Sequence, residues 1–139
     1  VFGREVEMKI PLQELEVYRL AEDLSDRVWK LVATWKGFDR ETVGKQMVRA
    51  ADSIGANLAE GYGRYSFREN IHFCYYARGS YYELLFWLRR SSCRSLSPQM
   101  EDGTLHECAM DFGRMLNAYI RSIKRNLSES SRFAEANNS

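Results

Sequence analysis

Residues 44–64 read GKQMVRAADSIGANLAEGYGR. The stretch has the composition of one helix, and small residues recur along it at every fourth position: Ala51, Gly55, Ala59 and Gly63. Positions four apart share a helix face, so this row carries little side-chain bulk and another backbone can approach it closely. Glycine costs about 1 kcal/mol against alanine inside a helix, so Gly55 implies a packing reason. The polar residues Arg49, Asp52, Ser53, Asn57 and Glu60 sit among the apolar ones, not on a face of their own. A tightly packed core helix is expected over about 40–61, with Val43, Met47, Ala50, Ile54 and Leu58 as conventional contacts and Gly61 and Gly63 ending it.

On the N-terminal side, Lys36-Gly37-Phe38 is a break in which Gly37 suits a left-handed stop, and Asp39 is the expected N-cap of the helix that follows. Before the break, Leu15, Tyr18, Ala21, Leu24, Val28, Leu31, Val32 and Trp35 step by three and four, with Glu14, Glu22, Asp26 and Lys30 opposite. That pattern predicts an amphipathic helix over about 12–35, opened by Pro11 and preceded by an arm, residues 1–11.

On the C-terminal side, Ser66 and Glu69 have the spacing of a capping box and start a helix over about 67–94. Its apolar positions are Ile71, Cys74, Tyr75, Tyr81, Leu84, Leu85 and Leu88. Eight aromatics (Phe67, Phe73, Tyr75, Tyr76, Tyr81, Tyr82, Phe86, Trp87) cover more of its circumference than one core stripe needs, so some face a neighbour, a second subunit or a ligand. Gly79-Ser80 makes a thin spot suited to receive the small-residue row. Ser97 as N-cap and Pro98 at the first helical position restart the chain into a helix over about 98–127, striped by Leu105, Cys108, Ala109, Phe112, Met115, Leu116, Tyr119, Ile123 and Leu127 and weakened at Gly103 and Gly113. Residues 128–139 read as a flexible tail. Four long helices on short loops, with no strand candidate and no repeat, predict an all-α, antiparallel up-down-up-down four-helix bundle.

Composition fits one water-soluble domain: 139 residues, 45% hydrophobic, 28% charged, and no apolar run long enough to span a membrane. The N-terminus lacks a signal-peptide core, and three scattered cysteines, Cys74, Cys93 and Cys108, argue against a disulfide framework. Each reads as a small buried hydrophobe in a cytoplasmic protein. Net charge is only +1, but its distribution is uneven: residues 1–61 carry nine Lys/Arg against eleven Asp/Glu, and residues 62–127 carry ten against six.

Enzyme chemistry finds little support. His72 and His106 each stand two residues before a cysteine, Cys74 and Cys108. Residues two apart on a helix diverge by about 200°, so neither pair closes on one metal. A single Glu-x-x-His occurs, Glu69-Asn70-Ile71-His72, where a di-iron bundle needs two, and phosphate-binding glycine loops and nucleophile elbows are absent. Asp52 and Glu60 lie on roughly one side of their helix, where ion pairing with Arg49, Arg64 or Arg78 is the simpler reading than acid–base catalysis. No cofactor and no metal are expected.

Binding fares better. Arg64, Arg68, Arg78, Arg89, Arg90, Arg94, Arg121, Lys124 and Arg125 lie on the third and fourth helices or at their approach. Arginine holds phosphate bidentately and stacks on bases. Arg90 and Arg94 share a face, as do Arg121 and Arg125. In an antiparallel pair these clusters fall at opposite ends, so a continuous patch requires a longitudinal stripe or neighbouring subunits.

The pattern Ser53-Ile54, Asn57, Ala59-Glu60-Gly61, Gly63-Arg64, Ser66, Ala77-Arg78-Gly79-Ser80 and Glu83 resembles the four-helix-bundle family encoded in intervening sequences of bacterial 23S ribosomal RNA genes. VYRLAEDLSDRVWKL and MLNAYIRSIKR resemble it too, so the likeness covers about residues 12–127. One branch of that family is the accessory variability determinant of diversity-generating retroelements. The resemblance implies a bundle that assembles as a homopentameric barrel, and in that branch binds the reverse transcriptase and its template RNA. A ring would repeat any local basic patch five times, although this chain's total charge is near neutral where that branch is basic. Gly61, Gly63 and Gly79 with Arg49, Asp52, Ser53, Asn57 and Glu60 form the structural motif on this reading. The expected function is a non-enzymatic oligomeric adapter for structured RNA or DNA, with a reverse transcriptase as partner and no membrane. The alternative is a structural or protein-interaction module without a nucleic-acid role.

Overall fold

The computed structural model describes residues 9–97 and 99–139. Four long helices, α1 (Glu16–Ala33), α2 (Lys45–Tyr62), α3 (Phe67–Cys93) and α4 (Gln99–Asn138), account for most of them, and no strand occurs among the described residues. Both α1 and α3 pack on α2 and on α4. That cyclic pattern is the up-down-up-down bundle. Its axis is filled by Leu24, Val28, Met47, Ile54, Leu58, Cys74, Leu84, Phe112 and Leu116, all fully buried in one continuous core.

The first helix begins later than the apolar pattern predicts. Leu12–Glu14 form a single 3-10 turn, Leu15 is extended, and α1 starts at Glu16. Trp35 lies past the helix end but is buried, so tertiary packing and not helix periodicity places it. Gly37 takes φ +58°, the expected left-handed break. Asp39 is not an N-cap: the turn Gly37–Asp39 follows extended Lys36, and the Asp39 side chain makes no capping bond. Its carboxylate suits the positive end of the helix as a first-turn residue instead. Next comes a π-helical turn, Arg40–Gly44, in which the Lys45 N–H reaches the Arg40 carbonyl.

The close approach between helices is not where the small-residue row suggests. A Cβ on Gly55 would meet only Ala21 of α1, at an ordinary 3.9 Å, while Gly79 faces open space. The tight contact is at Gly61, where a Cβ would stand 2.7 Å from Phe73 Cβ and 3.1 Å from the Asn70 carbonyl oxygen. Ser80 does meet α2, but through Ser53, its hydroxyl donating at 3.0 Å. Asn57 closes this small polar seam by donating to the Ser53 carbonyl at 2.8 Å.

Ser66 caps α3 as its spacing predicts, accepting from the Glu69 N–H at 3.2 Å. The other end closes in a Schellman motif: Leu96 N–H to Ser91 O at 2.9 Å and Ser95 N–H to Ser92 O at 3.1 Å, with Ser95 at φ +57°. The expected cap pair Ser97-Pro98 falls partly outside the described residues, at Pro98; α4 is helical from Gln99. Gly113 proves to be a packing position and not a weak point, because the Tyr81 ring lies against it, with Cζ 2.7 Å from where a Cβ would be. The helix does not end near Leu127 but runs to Asn138, all side chains from Ser128 onward being exposed. Of the expected arm, Lys9 and Ile10 are described and lie against Tyr62, whose hydroxyl donates to the Ile10 carbonyl; residues 1–8 fall outside the description. Among the described residues, no helix is long and apolar enough to cross a membrane.

Candidate nucleic-acid interface

The groove between α3 and α4 gathers cations around one aromatic ring. Arg78, half-buried, donates through Nη1 to Asn117 Oδ1 at 3.4 Å. Its guanidinium stands 4.9 Å from the centre of the Tyr75 ring, and Lys124 Nζ stands 5.3 Å from the same ring. Two cations on one ring, half-buried Arg78 and exposed Lys124, concentrate positive charge at this point of the groove. Asn117, Arg121 and Lys124 follow one another at steps of four and three, so the exposed Arg121 continues the row along α4, and Arg125 follows one turn on. Arg114 begins the row three residues before Asn117. It pairs with Asp111 and lies close enough to Tyr81 to oppose the upward push that burial, with Tyr82 adding to it, gives that phenol. Sequence reasoning omitted Arg114 and Asn117 and assigned Tyr75 to the core; the i, i+3, i+7 spacing from 114 to 121 was the available signal.

Below this surface the polar atoms are tied up. Buried Asn70 donates to the Tyr119 hydroxyl at 3.4 Å and accepts from the Cys74 thiol at 3.7 Å. Burial pushes both the Cys74 thiol and the Tyr119 phenol up to about 12. Both are neutral at physiological pH, as structural groups should be.

The remaining expected cations divide into separate sites. Arg89 continues the α3–α4 groove toward its other end, lining a hollow with Leu85, His106 and Met110. Arg90 instead lies 6.0 Å from the Phe86 ring, and Arg94 borders a hollow with Phe38, Asp39 and Glu41 on the α2–α3 side. Arg64 pairs with Glu60 at 3.0 Å and covers the Phe73 ring, near exposed Arg68. The clusters around Arg90/Arg94 and Arg121/Arg125 therefore fall at opposite ends, and among the nine expected cations those of the groove form the stripe.

Glu60 pairs with Arg64 as expected, but Asp52 accepts from Ser25 of α1, and Arg78 faces α4, away from both. At the α2 end, the Gly63 N–H reaches the Ala59 carbonyl and the Arg64 N–H the Gly61 carbonyl, both at 3.1 Å, while the Tyr62 carbonyl accepts from Lys9. Arg49 is exposed on the α1 side of α2. Cys74 is buried and Cys108 half-buried, but Cys93 is exposed, against expectation. No group of three or more metal-ligating side chains occurs among the described residues.

This architecture defines a class: an up-and-down four-helix bundle with a polar α2–α3 seam and a cationic α3–α4 groove. Residues 13–118 match the family model of the 23S rRNA-intervening sequence protein, and the chain belongs to that family. Its fold is similar to the crystal structure of a protein of unknown function from the S23 ribosomal protein family of Bacteroides thetaiotaomicron, with a TM-score of 0.67 at 21% identity, covering 75% of this chain and 97% of that one. Comparison with curated proteins finds no match.

Proposed function

We propose that the protein is a non-enzymatic, oligomeric adapter that binds structured RNA or DNA through the α3–α4 groove. The observation that carries this reading is the Tyr75 ring held under both Arg78 and Lys124, with Arg121, Arg125 and Arg114 along the same side of α4. Such a stripe follows a phosphate backbone without reading sequence. By its resemblance to the retroelement branch, the partner class extends to a reverse transcriptase and its template, in the cytoplasm.

Assembly would multiply the stripe. On α3, His72, Tyr76, Gly79, Glu83 and Phe86 follow at steps of four, three, four and three and are all exposed. Tyr76 and Phe86 leave more than half of their surface in water, and Gly79 leaves a gap between them. This outward face is the one we assign to contact between copies, in a ring that the family resemblance makes a pentamer. The same face supports the second reading, a protein-interaction module.

Structured RNA binding measured across a salt series tests the proposal. Affinity should fall steeply with salt, and Arg78→Gln with Lys124→Gln should lower the log–log slope by about 1 per cation removed. Arg94→Gln, outside the groove, should change it less. A stable oligomer with no RNA affinity at low salt would leave the interaction-module reading.

A further inference from the structure

On the opposite side of the bundle, between α1 and α2, a cavity of about 290 Å³ is lined by Trp29, Val32, Ala33, Arg40, Glu41, Lys45, Val48 and Arg49. Trp29 is 61% exposed, which leaves much of its indole open to solvent beside the cleft. Three cations face one carboxylate, Glu41, in this cleft.

The π turn explains how the cations come together. In an α-helix, residues five apart diverge by about 140°. Through a π turn, the bond from the Lys45 N–H to the Arg40 carbonyl stacks position 45 over position 40. Lys45 and Arg49 are then four apart in regular α-helix and share a face. The inserted turn therefore lines Arg40, Lys45 and Arg49 into a single row beside the indole. Gly44 permits the turn to seat, since a Cβ there would stand 2.7 Å from Val32 Cγ1.

We propose that this cleft binds an unpaired nucleotide segment of single-stranded nucleic acid, one base stacking on Trp29 and its flanking phosphates held by Arg40, Lys45 and Arg49. A flat exposed indole flanked by cations is the recurring platform for single strands. A second copy docking here is disfavoured by the uncompensated charge. The cleft shares no residue with the α3–α4 groove, so the inference stands apart from the function proposed above.

Titration with a short oligouridylate, read by tryptophan emission, tests it. Trp35 is buried and Trp87 half-buried, so quenching should come from Trp29. Trp29→Leu should abolish the quench and weaken binding about 5- to 150-fold. Each of Arg40→Gln, Lys45→Gln and Arg49→Gln should lower the slope of log affinity on log salt by about 0.7. Circular dichroism checks that the variants fold, as the exposure of these side chains predicts. Arg78→Gln/Lys124→Gln should keep the quench even if structured RNA binding is lost. Absence of quenching at low salt, unchanged binding by Trp29→Leu, or loss of the quench in the groove variant would each overturn the proposal. So would an emission change that tracks protein concentration and sedimenting mass without oligonucleotide, which would mark a contact between copies.

Discussion

Ser95 holds a left-handed backbone, φ +57°, at the position where a Schellman motif favours glycine. Ser95→Gly should therefore stabilise the fold by up to about 1–2 kcal/mol, less the chain entropy that glycine adds, measured by urea denaturation. Burial of Cys74 and Tyr119 gives a second residue-scale prediction. Each is raised to about 12 in the folded chain, above the ordinary 9.0 for a thiol and 10.0 for a phenol. A group raised on folding keeps its proton longer in the native state, so between those values the unfolded chain binds fewer protons and stability falls as pH rises. Stability should show no loss from these two groups below about pH 9 and should decline toward pH 12. Denaturation midpoints across that window check the sign, and Cys74→Ala should shallow the early part of the decline. Thiol labelling at neutral pH should reach exposed Cys93 in the native protein and Cys74 only after unfolding.

Between elements, Gly61 and Gly79 of the family-like motif behave oppositely. A methyl at Gly61 has no room against Phe73 and Asn70, and α3 must move to admit it. Gly61→Ala should cost about 1–3 kcal/mol, the range of overpacking. Gly79 meets nothing, so Gly79→Ala should stabilise the isolated bundle by up to about 1 kcal/mol through helix propensity alone. Thermal melts of the two variants at low concentration would separate these roles. A destabilised Gly79→Ala would show that a neighbour occupies that gap. The capping box at Ser66 was legible because its partners are three residues apart and need no tertiary information. The π turn was not legible, because Gly44 there is pressed on Val32 of α1 and on Trp35 just past its end, contacts that no local spacing reveals.

For the molecule as a whole, assembly through the outward face of α3 predicts that Tyr76→Ala/Phe86→Ala lowers the sedimenting mass to that of the protomer. Helical content should stay unchanged, since both side chains are more than half exposed. Loss of assembly should then weaken structured RNA binding more than it changes the affinity of a single groove, because a ring engages one ligand many times. An unaltered mass would move the contact to another face.

Four helices, their order, most of their buried positions and the capping box were written in the chain itself. Apolar spacing of three and four residues, interrupted by Gly37, Gly63 and Ser97-Pro98, is a local signal that one helix can carry alone. Tertiary structure alone decided which small residues mark the close approaches, because Gly55 and Gly61 differ only in what stands opposite them. It also divided nine expected cations among separate surfaces and brought Arg78 and Lys124, 46 positions apart by subtraction, onto the Tyr75 ring. Periodicity specifies a face on one helix, but which faces meet depends on the relative rotation of two helices, and that is set only when the whole core packs.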